Sequence, residues 1–161
     1  MRVGFGVDVH AFNDEPPLLL GGVVVDETRG VDATSDGDVA MHALIDALLG
    51  AAALGDLGMH FPSSDPHWHG ASSADLLTAA LGLLADAGCS PAQVDITVIA
   101  QQVMVGPHRP AIRSNLAGLL GLPLDAVSVK ATTTDHLGFL GAGRGIAATA
   151  IVAVHRSTAD D

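Results

Sequence analysis

Residues 1–12 read MRVGFGVDVHAF, and the reading of this stretch decides the architecture. Over residues 2–10 the side chains alternate with the period of two that a β-strand imposes. In a strand, Asp8 and His10 share one face while Val7 and Val9 share the other. A buried sheet face does not accept an aspartate cheaply unless something positive meets it. A metal ion, an arginine or a phosphate-bound cation would each satisfy Asp8, and this stretch alone does not choose among them.

Working outward, LLLGGVVVD (18–26) predicts two short strands joined by a Gly-Gly turn. TSDGDVAMHALIDALLGAAALGDLG (34–58) predicts a helix over about 37–54. There Ser35, Asp36 and Asp38 serve as cap and first-turn residues, and Val39, Leu44, Ile45, Leu48 and Leu49 form the apolar face. Residues 55–70, rich in Gly, Pro, Ser and His, read as one long loop of the kind that carries function. A second helix follows over 72–88, capped by Ser72 or Ser73 and ended by Gly88. Then come a strand over 94–102, a helix over 108–121 and strands over 127–134 and 145–155, with a frayed tail STADD. The alternation predicts an α/β chain (an α+β sandwich): a mixed sheet with helices on one face and a small extra hairpin. At 161 residues, with no repeat or linker, it reads as one domain over 1–161.

Hydrophobic residues make up 48% of the chain, enough for a dense core and against disorder. Aromatic residues are only 3%, with no Tyr, so base stacking on an aromatic platform is not expected. A net charge of −11 argues against nucleic acid and anionic membranes as partners. The single cysteine, Cys89, excludes an internal disulfide and a Cys-rich zinc site. No basic, hydrophobic leader and no membrane-length apolar run is present, which predicts a soluble, cytoplasmic enzyme or binding protein.

His42, one turn into the first helix, is the natural partner for Asp8 and His10. Two histidines and a carboxylate, with one tetrahedral position left open, is the ligand logic of a catalytic zinc site. Asp38 and Asp46, four residues either side, are candidates to hold the second ring nitrogen of His42. Separate hydrogen-bonded groups also fit a strand D-x-H. TTTDHLGF (132–139) offers hydroxyls and N–H groups to phosphate oxygens and Asp135 to a hard divalent ion, and equally describes a Thr-rich strand end entering a turn. GAGRG (141–145) lies between strands and reads as a flexible turn rather than a nucleotide loop. Lys130 is an anion contact or a solvated charge, and His60, His67 and His69 read as solvated loop residues.

Taken together, GVDVHAF, SDGDVAMHALIDALLGAAALGDLG, FPSSDP and VKATTTDHLGF resemble the 2-C-methyl-D-erythritol 2,4-cyclodiphosphate synthase family, in order and over essentially the whole chain. The resemblance implies a homotrimer with active sites at the subunit interfaces. It implies a metal-dependent reaction in which the 2-phosphate of 4-diphosphocytidyl-2-C-methyl-D-erythritol 2-phosphate attacks the β-phosphorus and CMP leaves. Carried over, Asp8, His10 and His42 hold Zn²⁺, and Asp135 holds a second divalent ion, Mg²⁺ or Mn²⁺, on the diphosphate. Ser35 and Asp56 orient the methylerythritol hydroxyls, and Thr132 and Thr133 contact the diphosphate and cytidine side, Thr133 polarising the reacting phosphate. Gly58, Phe61, Ser63, Asp65, Ala100, Met104 and Phe139 complete the implied substrate pocket.

The sequence departs from the family's pattern inside that pocket. Thr34 stands where the family has a histidine before S-D-G-D, removing a charged donor from the transferring phosphate. Val103 and Met104 replace the proline and lysine of the nucleotide loop, and Ser63 replaces an acid. Ala142 and Arg144 replace the arginine and glutamate of G-R-G-E-G, and Thr149 replaces a further glutamate, which argues against prenyl-diphosphate binding in the trimer cavity. Three readings stay open: the synthase itself, a zinc enzyme of the same scaffold with another diphosphate or nucleotide substrate, and a non-catalytic zinc-bound trimer that binds a ligand.

Overall fold

Four residues of the first strand, Gly4, Gly6, Asp8 and His10, lie on one face and set the architecture. In the computed structural model, which describes residues 1–157, β1 (Arg2–Asn13) runs antiparallel to β7 (Gly145–Arg156). β7 pairs in turn with β5 (Cys89–Ile99), and β5 pairs in parallel with β6 (Val127–Thr132). With β4 (Gly30–Val31) on the outer edge of β1, the mixed sheet has the order β4-β1-β7-β5-β6. The small hairpin is present as β2 (Leu18–Leu20) and β3 (Val23–Asp26). The expected fraying of the tail falls on residues 158–161, outside the described residues.

Helices α1 (Val39–Ala52), α3 (Ser73–Asp86) and α4 (Arg109–Leu120) pack against one sheet face. The core lies between the layers and is aliphatic: Leu44, Ile45, Leu48, Leu77, Leu84, Ile96, Ile112 and Leu116 are essentially unexposed. α1 is buried nearly all round rather than along one stripe, because the sheet, α3 and the hairpin close on it from different sides. The expected long loop over 55–70 instead contains α2 (Leu57–His60) and a 3₁₀ turn at Pro66–Trp68. A last short helix, α5 (Gly138–Gly141), precedes β7. Among the described residues, no helix is long and apolar enough to cross a membrane.

The approach of α1 to β1 is set by missing side chains. A Cβ at Gly4 would stand 1.9 Å from the Ala47 carbonyl oxygen, and one at Gly6 would stand 2.1 Å from that of Ala43. Both obstacles are backbone, so the helix has to move as a body. Gly4→Ala is therefore expected to cost about 3 kcal/mol, the upper end for overpacking. Urea unfolding checks this, with a lower midpoint and an unchanged slope.

Among the described residues, none of the three long helices covers the opposite sheet face. Val3, Phe5, Val7 and Val9 of β1 are 45–67% exposed, and Ile151 of β7, paired with Phe5, is 49% exposed. Lys130 is exposed, as expected of a solvated charge, and pairs with Asp95 at 2.6 Å.

Candidate metal centre and substrate pocket

Strand alternation that places Gly4 and Gly6 under α1 also places Asp8 and His10 under its first turns, where His42 descends beside Ala43. Asp8 Oδ2 lies 2.9 Å from His10 Nε2 and 3.0 Å from His42 Nδ1, and the two ring nitrogens are 3.3 Å apart. Tetrahedral ligands at about 2.0–2.2 Å from a divalent ion stand roughly 3.3 Å from each other, so the triangle fits such an ion. His42 is buried, while Asp8 and His10 are half-buried at the floor of a pocket, which leaves one side open.

The electrostatics agree. Burial alone would raise the Asp8 carboxyl, but hydrogen bonds and charge from His10 and His42 outweigh it and hold it far below the usual carboxylate range. The hydrogen bond to Asp8 lifts the His10 imidazole above its ordinary value, against burial. His10 Nδ1 lies 2.7 Å from the Asp32 carbonyl, which can only accept, so Nδ1 carries the hydrogen and Nε2 faces the triad.

The expected roles of Asp38 and Asp46 are corrected. Neither carboxylate reaches the second nitrogen of His42, which lies 3.0 Å from Ser35 Oγ and 3.1 Å from Ser73 Oγ. Asp38 is the N-cap of α1, fully buried, accepting from the N–H groups of Gly21 (2.9 Å), Gly22 (2.6 Å) and Met41 (3.0 Å). Its carboxylate ties the hairpin turn to the helix, and burial raises it despite those three donors. Asp46 accepts from the Leu57 N–H at 2.7 Å and so anchors α2 beside the site; burial raises it as well. Ser35 does not cap α1, although its hydroxyl stands at the triad.

One pocket gathers Asp8, His10, His42, Thr34, Ser35, Asp46, Asp56 and Gly58. Asp56 caps α2 through the Met59 N–H at 2.9 Å, which fixes its carboxylate at the pocket rim. The other sequence-derived residues are not in this pocket. Phe61 is buried edge-on against Trp68, with ring centroids 4.9 Å apart. Ser63 is exposed with its carbonyl 2.9 Å from His69 Nε2, and Asp65 caps the 3₁₀ turn. His60 is half-buried, its ring bonded to the Leu54 carbonyl at 2.7 Å, so it is not a solvated loop residue. Phe139 lines a second, more apolar cavity with Val9, His10 and Arg144.

The remaining residues form a separate cluster. Ala100 is buried and donates its N–H to the Thr132 carbonyl at 3.0 Å, joining the segment after β5 to the end of β6. Val103 and Val105 are buried in the core while Met104 points out, 76% exposed, so the loop is anchored by aliphatic packing in place of proline. Asp135 and His136 adopt left-handed backbone, with φ of 50° and 66°. The Asp135 N–H meets Thr133 Oγ1 at 3.2 Å, and that hydroxyl lies 3.3 Å from Asp135 Oδ1. Thr132, Thr133 and Asp135 are all exposed. Pairing aligns Thr132 with Ile99, Ile99 with Ala147, and Ala147 with Val9. Thr132 thus stands three strand spacings, about 14 Å, from the strand that carries Asp8 and His10. On one chain the triad and the threonine turn are two separate clusters.

Two residues beside the triad went unread in the sequence: Ser73 and Asp36. Asp36 accepts from the Ser73 hydroxyl and, at 2.8 Å, from the Ser73 N–H. They lie 37 residues apart and each looked like a helix cap, so nothing local announces the pair.

The comparisons agree with this geometry. The model of the YgbB family matches residues 1–155. The chain is 54% identical over 158 residues to a 2-C-methyl-D-erythritol 2,4-cyclodiphosphate synthase from Xanthomonas oryzae, covering 98% of this chain and 97% of that one. It superposes with a TM-score of 0.93 on the bifunctional IspDF from Campylobacter jejuni, at 41% identity, covering 97% of this chain and 42% of that longer one. A 2C-methyl-D-erythritol-2,4-cyclodiphosphate synthase structure in a CDP-bound form gives a TM-score of 0.88 at 37% identity, covering 96% of this chain and 100% of that one. A match along almost the whole length, by sequence and by backbone alike, makes this chain a member of the YgbB family, that of the 2-C-methyl-D-erythritol 2,4-cyclodiphosphate synthases.

Proposed function

We propose that this chain cyclises 4-diphosphocytidyl-2-C-methyl-D-erythritol 2-phosphate to 2-C-methyl-D-erythritol 2,4-cyclodiphosphate with release of CMP, as a lyase acting on a phosphorus–oxygen bond. The observation that carries this reading is the convergence of Asp8, His10 and His42 in one pocket with Ser35 and Asp56. The 2-phosphate attacks the β-phosphorus of the same molecule, and the bond from that phosphorus to the CMP oxygen breaks. Two anionic groups have to meet, so positioning and charge neutralisation are the main demands. A divalent ion bound at the triad supplies Lewis-acid stabilisation of phosphoryl charge. Asp8, His10 and His42 hold it; we assign zinc there from the two-histidine, one-carboxylate donor set. Asp135, whose carboxylate is exposed, would hold a second hard ion, Mg²⁺ or Mn²⁺, that would neutralise diphosphate charge. Ser35 and Asp56 orient the methylerythritol hydroxyls, Thr132 and Thr133 bind the diphosphate, and the segment from Ala100 to Met104 receives the cytidine.

The two clusters are brought together in a homotrimer. The uncovered stripe of Val3, Phe5, Val7, Val9 and Ile151 supports this assembly, because a contiguous apolar sheet face of that kind marks a subunit interface. In it the threonine turn of one subunit faces the triad of the next, with Phe139 near the junction.

Thr34 lies exposed at the pocket rim, where it donates one neutral hydrogen bond at most. Thr34→His is expected to raise CMP release about tenfold or more, equivalent to about 1.4 kcal/mol of barrier. Chromatographic assay of CMP under saturating substrate checks this. No gain would locate the charged donor elsewhere in the pocket.

A further inference from the structure

We infer that Ser73 and Asp36 are positioning residues: they place the ring hydrogen of His42 on Nε2 and so leave the Nδ1 lone pair facing Asp8 and His10. The inference deepens the reading of Asp8, His10 and His42 as a metal centre and rests on it.

The argument is one of hydrogen-bond supply. Ser73 Oγ is fully buried and has a single hydrogen to give. Its neighbours are Asp36 Oδ1 and, at 3.1 Å, His42 Nε2. A carboxylate only accepts, and Asp36 already takes the Ser73 N–H on Oδ2 at 2.8 Å and the Asp38 N–H on Oδ1 at 3.3 Å. The hydroxyl hydrogen therefore goes to Asp36, which leaves Ser73 Oγ an acceptor toward the ring. A lone pair on His42 Nε2 would face that of Ser73 Oγ at 3.1 Å whichever way the Ser35 hydroxyl turns, so Nε2 donates and Nδ1 carries the lone pair. His10 reaches the same neutral tautomer through the Asp32 carbonyl, so when both rings are neutral two lone pairs and a carboxylate converge within 3.3 Å. That arrangement calls for a cation. It also frees Ser35: at 3.0 Å from a donating Nε2, its hydroxyl hydrogen is available to the pocket.

Asp36→Asn reverses the chain. The amide oxygen keeps the 2.8 Å bond from the Ser73 N–H in preference to the longer 3.3 Å contact from the Asp38 N–H, so the amide nitrogen faces Ser73 Oγ. The hydroxyl then gives its hydrogen to His42 Nε2, and the ring hydrogen moves to Nδ1, where it blocks the metal. Zinc competition against a chelator should show Asp36→Asn weaker by 10–100-fold, the usual scale for loss of a group that supports a metal ligand. Nitrogen-15 spectra of the metal-free protein at alkaline pH, above the ordinary imidazole range, should place the His42 hydrogen on Nε2 in the native chain and on Nδ1 in Asp36→Asn. A purely structural role would not move that signature. Ser73→Ala keeps the backbone framework of the α3 terminus, because Ser72 is the cap, and should weaken zinc about tenfold. It decides the matter if Asp36→Asn does not fold. Native zinc affinity in folded Asp36→Asn or in Ser73→Ala, or a hydrogen already on Nδ1 in the native chain, overturns the inference alone. A native protein that takes up no zinc overturns the metal reading and the inference together.

Discussion

His42→Ala is expected to lose zinc and to lower CMP release by at least about 10³-fold, some 4 kcal/mol of transition-state stabilisation. Removing Nδ1 leaves Asp8 and His10, 2.9 Å apart, as two ligands where the pocket offers three. Two ligands do not hold a divalent ion against water at useful concentrations. The imidazole is buried, but its loss should leave the assembly intact, since the exposed apolar stripe lies on the other face of the sheet. Metal content, CMP release and sedimentation on one preparation separate the effects. A zinc-free His42→Ala protein with full activity would sink the metal assignment.

The second large effect concerns assembly. Phe5→Asp sets a carboxylate in the middle of the uncovered stripe, directly across from Ile151 and flanked on its own strand by Val3 and Val7. In a closed trimer each copy would bury that charge without a partner, at a cost of several kcal/mol per subunit. Sedimentation should shift from trimer to monomer, and CMP release should fall by at least about 10²-fold, because triad and threonine turn no longer meet. Zinc should still bind, as all three ligands belong to one chain. A Phe5→Asp trimer of native activity would contradict the interfacial site.

How far the molecule was legible in its sequence follows from the range over which each signal acts. The period of β1 placed Asp8 and His10 on one face, and the S-D-G-D start of α1 placed His42 one turn into that helix, because both are local regularities; that the two meet is tertiary, and only the family resemblance implied it. Strand ends read less well. β1 continues to Asn13 because β4 pairs with it at Phe12 and Asn13, and β5 begins at Cys89 because β7 extends to meet it. Pro91 sits within β5 at a register shift, where the ladder can spare the N–H that proline lacks. α2 is too short to hold on propensity alone; the Asp56 cap and the Asp46–Leu57 contact sustain it, and the latter is tertiary. The assignment of His42's support to Asp38 and Asp46 failed for a related reason. Helical spacing brings them close, but backbone N–H groups from the hairpin and α2 claim both carboxylates first. The hydroxyls that do reach the ring, those of Ser35 and Ser73, come from two segments that meet only in the folded chain.

The most direct test of the central claim is a phosphorus NMR time course of the purified protein with zinc, magnesium and 4-diphosphocytidyl-2-C-methyl-D-erythritol 2-phosphate. The substrate's phosphorus signals should disappear as those of CMP and a cyclic diphosphate grow in equal amounts. An unchanged spectrum, from protein shown to be trimeric and to hold zinc, would contradict it.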